Sequence, residues 1–470
     1  MSNERKPGKA IDRRHFFKLT GGATFAAAGL GLLPFKKLLG PAAMSDAMAQ
    51  TVYPPPDLFY AGTDGWISLP ASPAIVSASL GGVQTHPDVL APAPFTTYIF
   101  GFRNITWLDD TQRANQKNHA QHNAPMFWVD ENATFRMQLT NLGLAQRPDL
   151  FDAHTIHWHG FRNVITFFDG EPTGSVAITT GRIFQYVYKP RDPGTYMFHC
   201  HVEDTEHVHM GMTGPVFVRP KQNKTGNVAG APIARVAGGA LTAPMGYAYN
   251  DGVALSDARS TAYDREFAMF CSEIWGDSHW ADAHIQLPEW SDYRADFCLL
   301  NGRVHPDTLA PNSPIDVPHS TNQLTVQTDA NGDLMTNAGF EHLQYQPLSA
   351  LVTCNAGDRV LLRFANLGFK ESAMTLDGIK MKVIGKDATP MTGRDTTPTW
   401  YEASTVSFGA GESIDAIFTA PPHSGGGGPD VYVLYDRAYE RTNNLANGGR
   451  RTEVRVYPAG TLSAQTLPNT

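Results

Sequence analysis

Two stretches of this chain are built alike. Residues 129–139, alternating apolar and polar side chains over 134–139, run into Thr140-Asn141-Leu142-Gly143, and residues 352–364 run into Ala365-Asn366-Leu367-Gly368. Downstream, residues 182–188 and 194–199 find counterparts in residues 412–420 and 430–435. A separation of roughly 225 residues is too long for a solenoid repeat. It restricts the chain to two similar domains, each made of short alternating strands. The 470-residue length suits two domains. Frequent turn formers, 43 Gly and 33 Pro, favour many short strands over long helices. No window of comparable length shows a 3.6-residue period, so the fold expected is all-β, two β-sandwich domains.

The boundaries follow from composition. Residues 1–49 hold Arg13-Arg14, a weakly apolar run over 19–33 and a small-x-small site at Ala47-Met48-Ala49. This is the pattern of a twin-arginine export signal, which predicts a periplasmic or secreted protein. No later run reaches the ~18 apolar residues that a membrane helix needs. Residues 50–220 read as an extended Pro- and Gly-rich arm, a first strand near 97–102, and the first domain. Residues 221–250 read as a linker of little periodicity, and residues 251–460 as the second domain. A formal charge of −8, spread rather than blocked, argues against nucleic-acid or anionic-membrane partners. Four cysteines make no dense disulfide framework. Cys271 and Cys298 either pair or remain buried thiols, and Cys354 is left over.

The chemistry sits in the first domain. Seven histidines fall within residues 154–209, a density with no packing rationale. One group is His154-Thr155-Ile156-His157-Trp158-His159-Gly160; the other is His199-Cys200-His201, with His207, His209, Met210, Gly211 and Met212 downstream. Cys200 offers a thiolate, His154 and His207 imidazoles, and Met212 a weak axial thioether. Two His, one Cys and a long Met make a blue (type 1) copper electron-transfer site. His209 and Met210 compete for these roles, and His207 is preferred because a turn then separates it from Met212. On a strand, residues i and i+2 share a face. His157 and His159 therefore point together, as do His199 and His201, facing away from Cys200. These four imidazoles form a candidate second copper site, two of them joined to the thiolate through the backbone.

These motifs resemble those of the multicopper oxidase family, His-x-x-His-x-His-Gly and His-Cys-His followed by His-x-x-x-Gly-Met. The resemblance implies two cupredoxin-like Greek-key domains and copper as cofactor. It also implies a small reductant or metal-ion substrate, O2 as electron acceptor and a homotrimer. Asp169-Gly170 resembles the family's first-domain Asp-Gly, which implies that Asp169 is catalytic and delivers protons to oxygen. Asn301-Gly302-Arg303 and the segment 357–368 resemble a middle domain of the same family.

Three departures stand out. The Cys-to-His interval is two residues longer than in common laccases and carries Glu203, Asp204 and Glu206. Both copper motifs sit in the first domain, as in two-domain oxidases and nitrite reductases. The second domain has no His-x-His, reading Glu371-Ser372-Ala373-Met374-Thr375-Leu376-Asp377-Gly378 and Leu434-Tyr435-Asp436-Arg437 where the motifs would fall. A trinuclear cluster takes eight imidazoles and the motifs supply four; His119 and His122 are upstream candidates to approach the site. The readings that remain are an exported copper oxidase, a blue-copper electron carrier without catalysis, and a nitrite-reductase-like enzyme.

Overall fold

The computed structural model describes residues 54–123, 126–225, 246–254, 256–319 and 322–470. The export signal expected over 1–49 and the centre of the expected linker lie outside them. Residues Pro56–Thr470 form one compact unit. Among the described residues no helix is long and apolar enough to cross a membrane.

The first half has two four-stranded sheets. Its strands are β1 (Leu58–Ile67), β2 (Thr97–Asn104), β3 (Phe127–Asp130), β4 (Phe135–Gly143), β5 (His157–His159), β6 (Ile183–Tyr188), β7 (Gly194–His199) and β8 (Thr213–Arg219). One sheet runs β2-β1-β4-β6 and the other β3-β8-β7-β5. Between them lies an aromatic core of Tyr60, Phe127, Phe135, Trp158 and Phe198, all at most 6% exposed. Such rings supply much of the apolar area that a sandwich buries.

The second half repeats this plan. Its strands are β9 (Arg265–Ile274), β10 (Phe297–Leu300), β11 (Val352–Asn355), β12 (Arg359–Asn366), β13 (Ser372–Leu376), β14 (Met381–Lys386), β15 (Thr405–Phe408), β16 (Ser413–Thr419), β17 (Asp430–Asp436) and β18 (Arg451–Tyr457). The order β10-β9-β12-β16 reproduces β2-β1-β4-β6, and β11-β18-β17-β13 reproduces β3-β8-β7-β5. The directions agree as well: β1 is parallel to β4 as β9 is to β12, and β8 is parallel to β3 as β18 is to β11.

Two expectations change. Residues 58–67 are not part of an extended arm; they form β1, in the middle of its sheet. Gly62, Thr63, Asp64 and Gly65 hide the strand from pattern reading. Asp64 is buried because it accepts a hydrogen bond from Tyr98 Oη at 2.7 Å and one from the Gln146 amide at 2.7 Å, which offsets the cost of burial. The ends of the expected linker are also ordered, with a short helix at Gln222–Thr225 and Gly246–Tyr247 paired to Ala262–Tyr263.

A buried polar network joins the halves. Arg363 donates to Glu266 at 2.7 Å, to Asp415 at 3.3 Å and to Thr195 Oγ1 at 3.1 Å. Its guanidinium also lies 4.7 Å from the centre of the Phe217 ring. Thr195 and Phe217 belong to the first half, the other three to the second. All four cysteines are free, so Cys271 and Cys298 do not pair.

Candidate metal centres

Cys200 follows β7 and is fully buried, with His154 and His207 equally inaccessible. Ligand atoms of these three lie within 4.8 Å of one another, and Sγ is 3.3 Å from His207 Nδ1. His207 belongs to a short helix, α1 (Asp204–Met210), which Gly211 closes in the left-handed region at φ 119°. Gly suits that conformation, and the turn brings Met212 back to the site. The Met212 carbonyl accepts from the Cys200 amide at 3.0 Å. The helix carries His209 elsewhere: its Nε2 accepts from the Trp275 amide at 3.1 Å and its ring packs on His279.

The donor set fits copper. Both ring nitrogens of His154 are buried without a hydrogen-bond partner, which is costly unless something else satisfies them. Burial would push the Cys200 thiol up, but the His207 and His154 imidazoles beside it hold it well below the ordinary thiol range. Burial disfavours charge on His207 too, yet Cys200 and Asp152 raise it to about 10. Thiolate is the form of Cys200 that binds a soft metal, and a metal ion would take the place of the proton that His207 otherwise holds. The Thr155 amide points at Sγ from 3.5 Å and steadies it.

The two-residue period accounts for His157 and His159 on β5, while His201 lies beyond the end of β7. β5 pairs with β7 so that His157 faces His199 and Trp158 faces Phe198. Trp158 enters the core while its neighbours point to the other side. Ligand atoms of His157, His159 and His199 lie within 4.8 Å of one another. The His201 ring is 4.9 Å from His157 and 5.6 Å from His199. A carbonyl orients each of three rings: Asp169 O lies 2.9 Å from His157 Nδ1, Cys200 O 2.8 Å from His199 Nδ1 and Gly411 O 3.0 Å from His159 Nε2. A carbonyl only accepts, so each of these nitrogens carries the proton. The other nitrogen then keeps its lone pair, the form a metal takes. Burial lowers the pKa of all three rings, that of His199 to about 3. The Asp169 carboxylate stands 3.5 Å from His157 Nδ1.

His119 and His122 do not join either group. His119 Nδ1 pairs with Asp333 at 2.6 Å, and His122 lies behind Gly211, 3.4 Å from Ser272 Oγ. Sequence reading also missed Asp152, whose Oδ2 is 3.4 Å from His207 Nε2. Asp152, Glu203 and His207 form a further three-donor group within 4.8 Å. Only the acidic insert at 203–206 hinted at it.

The duplicated half shows what became of its own sites. Registers of the paired strands place Thr375 opposite Tyr435 where His157 faces His199. Ser372 therefore stands at the position of His154 and Asp436 at that of Cys200. The Asp436 amide donates to the Arg450 carbonyl at 3.1 Å, as Cys200 does to Met212, which puts Arg450 at the position of Met212. Arg450 Nη1 donates to Ser372 Oγ at 2.6 Å and to Asp436 Oδ2 at 3.1 Å. A buried ion pair fills the space of the first metal site.

Two sandwiches of this topology have the cupredoxin-type fold, and one of them holds a Cys-His-His-Met cluster beside an imidazole cluster. The multicopper oxidase family model matches residues 104–223 of this chain. A stretch of 79 residues is 34% identical to ceruloplasmin of Mus musculus, covering 16% of this chain and only 7% of that relative. The multicopper oxidase mgLAC is similar over 85% of each chain, with a TM-score of 0.50 at 19% identity, and shares the fold. A blue copper oxidase from Nitrosomonas europaea is similar over 85% of each chain at 18% identity, TM-score 0.49. Copper is the cofactor that this family implies.

Proposed function

We propose that the chain is an exported copper oxidase that takes electrons singly from a reductant and passes them to O2. His154, Cys200, His207 and Met212 would hold a type 1 copper; His157, His159, His199 and His201 would hold the second copper site. Copper at these positions supplies one-electron redox chemistry at the first site and O2 reduction at the second. The observation that carries the reading is the sequence adjacency of Cys200 to His199 and His201. One backbone joins a buried thiolate to two imidazoles of the other group, an unbroken covalent path.

The remaining residues have supporting roles. Asp152 contacts the outer nitrogen of His207 and gives electrons an entry at the edge of the first site. With exposed Glu203 it makes that edge anionic, which favours a metal cation or other cationic reductant over an anionic one. Asp169 holds a carboxylate beside His157 and serves as the proton donor. The Gly411 carbonyl keeps His159 turned inward.

A second reading has one observation in its favour: four clustered imidazoles, rather than eight, suit a mononuclear second site in a nitrite-reductase-like enzyme. Copper analysis with paramagnetic resonance separates the two. Two coppers per chain with an isolated type 2 signal favour the mononuclear reading; more copper, with a coupled pair absorbing in the near ultraviolet, favours O2 reduction. One copper with no second signal refutes both and leaves a blue-copper electron carrier. For the entry edge, Asp152→Asn should lower kcat/KM for a cationic metal reductant more than for a neutral phenol. Equal losses would refute the preference.

A further inference from the structure

Gly62 is in the middle of β1, which has a neighbour on each side: Gly62 stands opposite Phe102 of β2 and Asn141 of β4, and the β4 pairing shifts register just after it. A side chain there has no room. A Cβ on residue 62 would come within 2.7 Å of His154 Cδ2 and 3.2 Å of Met212 Cε. Carbon atoms rest about 3.5–4.0 Å apart, so the first contact is short by roughly 1 Å. Strand β1 cannot retreat without breaking its two ladders. The imidazole and the thioether would have to yield instead.

The duplicated half provides the comparison within one molecule. β1 aligns Gly62 with Asn141, and β9 aligns Cys271 with Asn366, the matching residue of the second Asn-Leu-Gly. Cys271 therefore stands at the position of Gly62. Its side chain, fully buried, faces Arg450 and Ser372, which occupy the positions of Met212 and His154. Where an ion pair fills the site, the strand carries a side chain; where two ligand side chains must reach a metal, it carries none.

We infer that Gly62 is a positioning residue of the Cys200 centre: its missing side chain lets β1 seat His154 and sets how closely Met212 approaches the metal. The inference rests on the reading of that centre as a copper site. Axial approach tunes type 1 copper, so the effect is spectroscopic before it is kinetic.

The test is Gly62→Ala in the full chain loaded with copper, with Cys271→Ala as control. Gly62→Ala should keep the far-ultraviolet dichroism, change the relative intensities of the copper charge-transfer bands and release copper to a chelator several-fold faster. Cys271→Ala should change neither band intensities nor copper release. A Gly62→Ala spectrum and release rate equal to those of the parent would overturn the proposal. If Gly62→Ala does not fold, Gly62→Ala combined with His154→Ala should, because the closest clash is gone; a pair that folds no better overturns it. If the parent binds no copper, the copper reading fails on its own. The packing claim is then read from metal-free thermal midpoints: Gly62→Ala should lower the midpoint, and the loss should largely vanish in a His154→Ala background. A persistent loss overturns it.

Discussion

Arg363→Ala should destabilise the contact between the halves while leaving both candidate metal centres assembled. Arg363 is fully buried, and so are its partners, Glu266 at 0% and Asp415 at 1% exposure. Removing one partner of a buried ion pair costs about 3–5 kcal/mol, because the remaining charge has lost its compensation. Here the lower end applies. Glu266 keeps Arg219 at 2.9 Å and Tyr263 Oη at 3.0 Å, and Asp415 keeps Thr195 Oγ1 and Tyr249 Oη. Lost stacking over Phe217 adds to the cost. The expected loss is about 3 kcal/mol, a large share of ordinary domain stability. Urea denaturation should show a lower midpoint with an unchanged slope. The difference should also depend on pH. Burial works against charge on Glu266, but Arg363 and Arg219 hold its carboxyl below the ordinary value. That contribution is present above the ordinary carboxylate range and is lost as pH falls. The variant has less of it to lose, so the gap between parent and variant should narrow in acid. A loss below about 1 kcal/mol, or a gap that widens in acid, would refute the argument. Arg363→Met combined with Glu266→Gln and Asp415→Asn should recover most of the stability.

Other outcomes follow from the centres and the core. Cys200→Ser should abolish the intense visible copper band while the protein stays folded; a retained band would show that the thiolate is not a ligand. Asp169→Asn keeps the backbone carbonyl that orients His157 but removes the proposed proton donor. Turnover should fall on the order of 10²-fold with the visible spectrum intact, and a loss of copper instead would point to a structural role. Burial lowers the pKa of His122 to about 3 and of His279 to about 4, and pushes His209 down as well. Their neutral forms are favoured in the fold. Stability is therefore full above the unfolded value near 6.5 and declines as pH falls below it. Three protons taken up on unfolding correspond to about 4 kcal/mol per pH unit near pH 5. His279→Asn should remove about one proton of that uptake, measured from the pH dependence of denaturation.

The sandwich plan was legible because alternation and the repeated Asn-Leu-Gly are local signals that survive in both halves. The metal groups were legible for a similar reason: a two-residue strand period fixes which of His157, Trp158 and His159 turn together, whatever the distant context. β1 was not legible, since its glycines and Asp64 answer contacts with His154, Ala120 and Tyr98 far away in sequence. Spacing to Met212 favours His207 over His209, but the helix that puts the two rings on opposite faces was not legible in it. Asp152 lies 55 residues from His207 and reaches it only through the fold. Arg450 was the least visible, because its meaning depends on Ser372 and Asp436 arriving from two other strands.

The ion pair at Arg450 also bears on metal selectivity. In its half of the chain the positive charge is covalently attached, so no ion need be acquired and none can be acquired wrongly. Ser372 and Asp436 offer oxygen where the first half offers imidazole and thiolate, and Arg450 holds the place that a metal would need. Of the two equivalent positions, only that of Cys200 presents a set of metal-ligating side chains, and the other is filled by the chain itself.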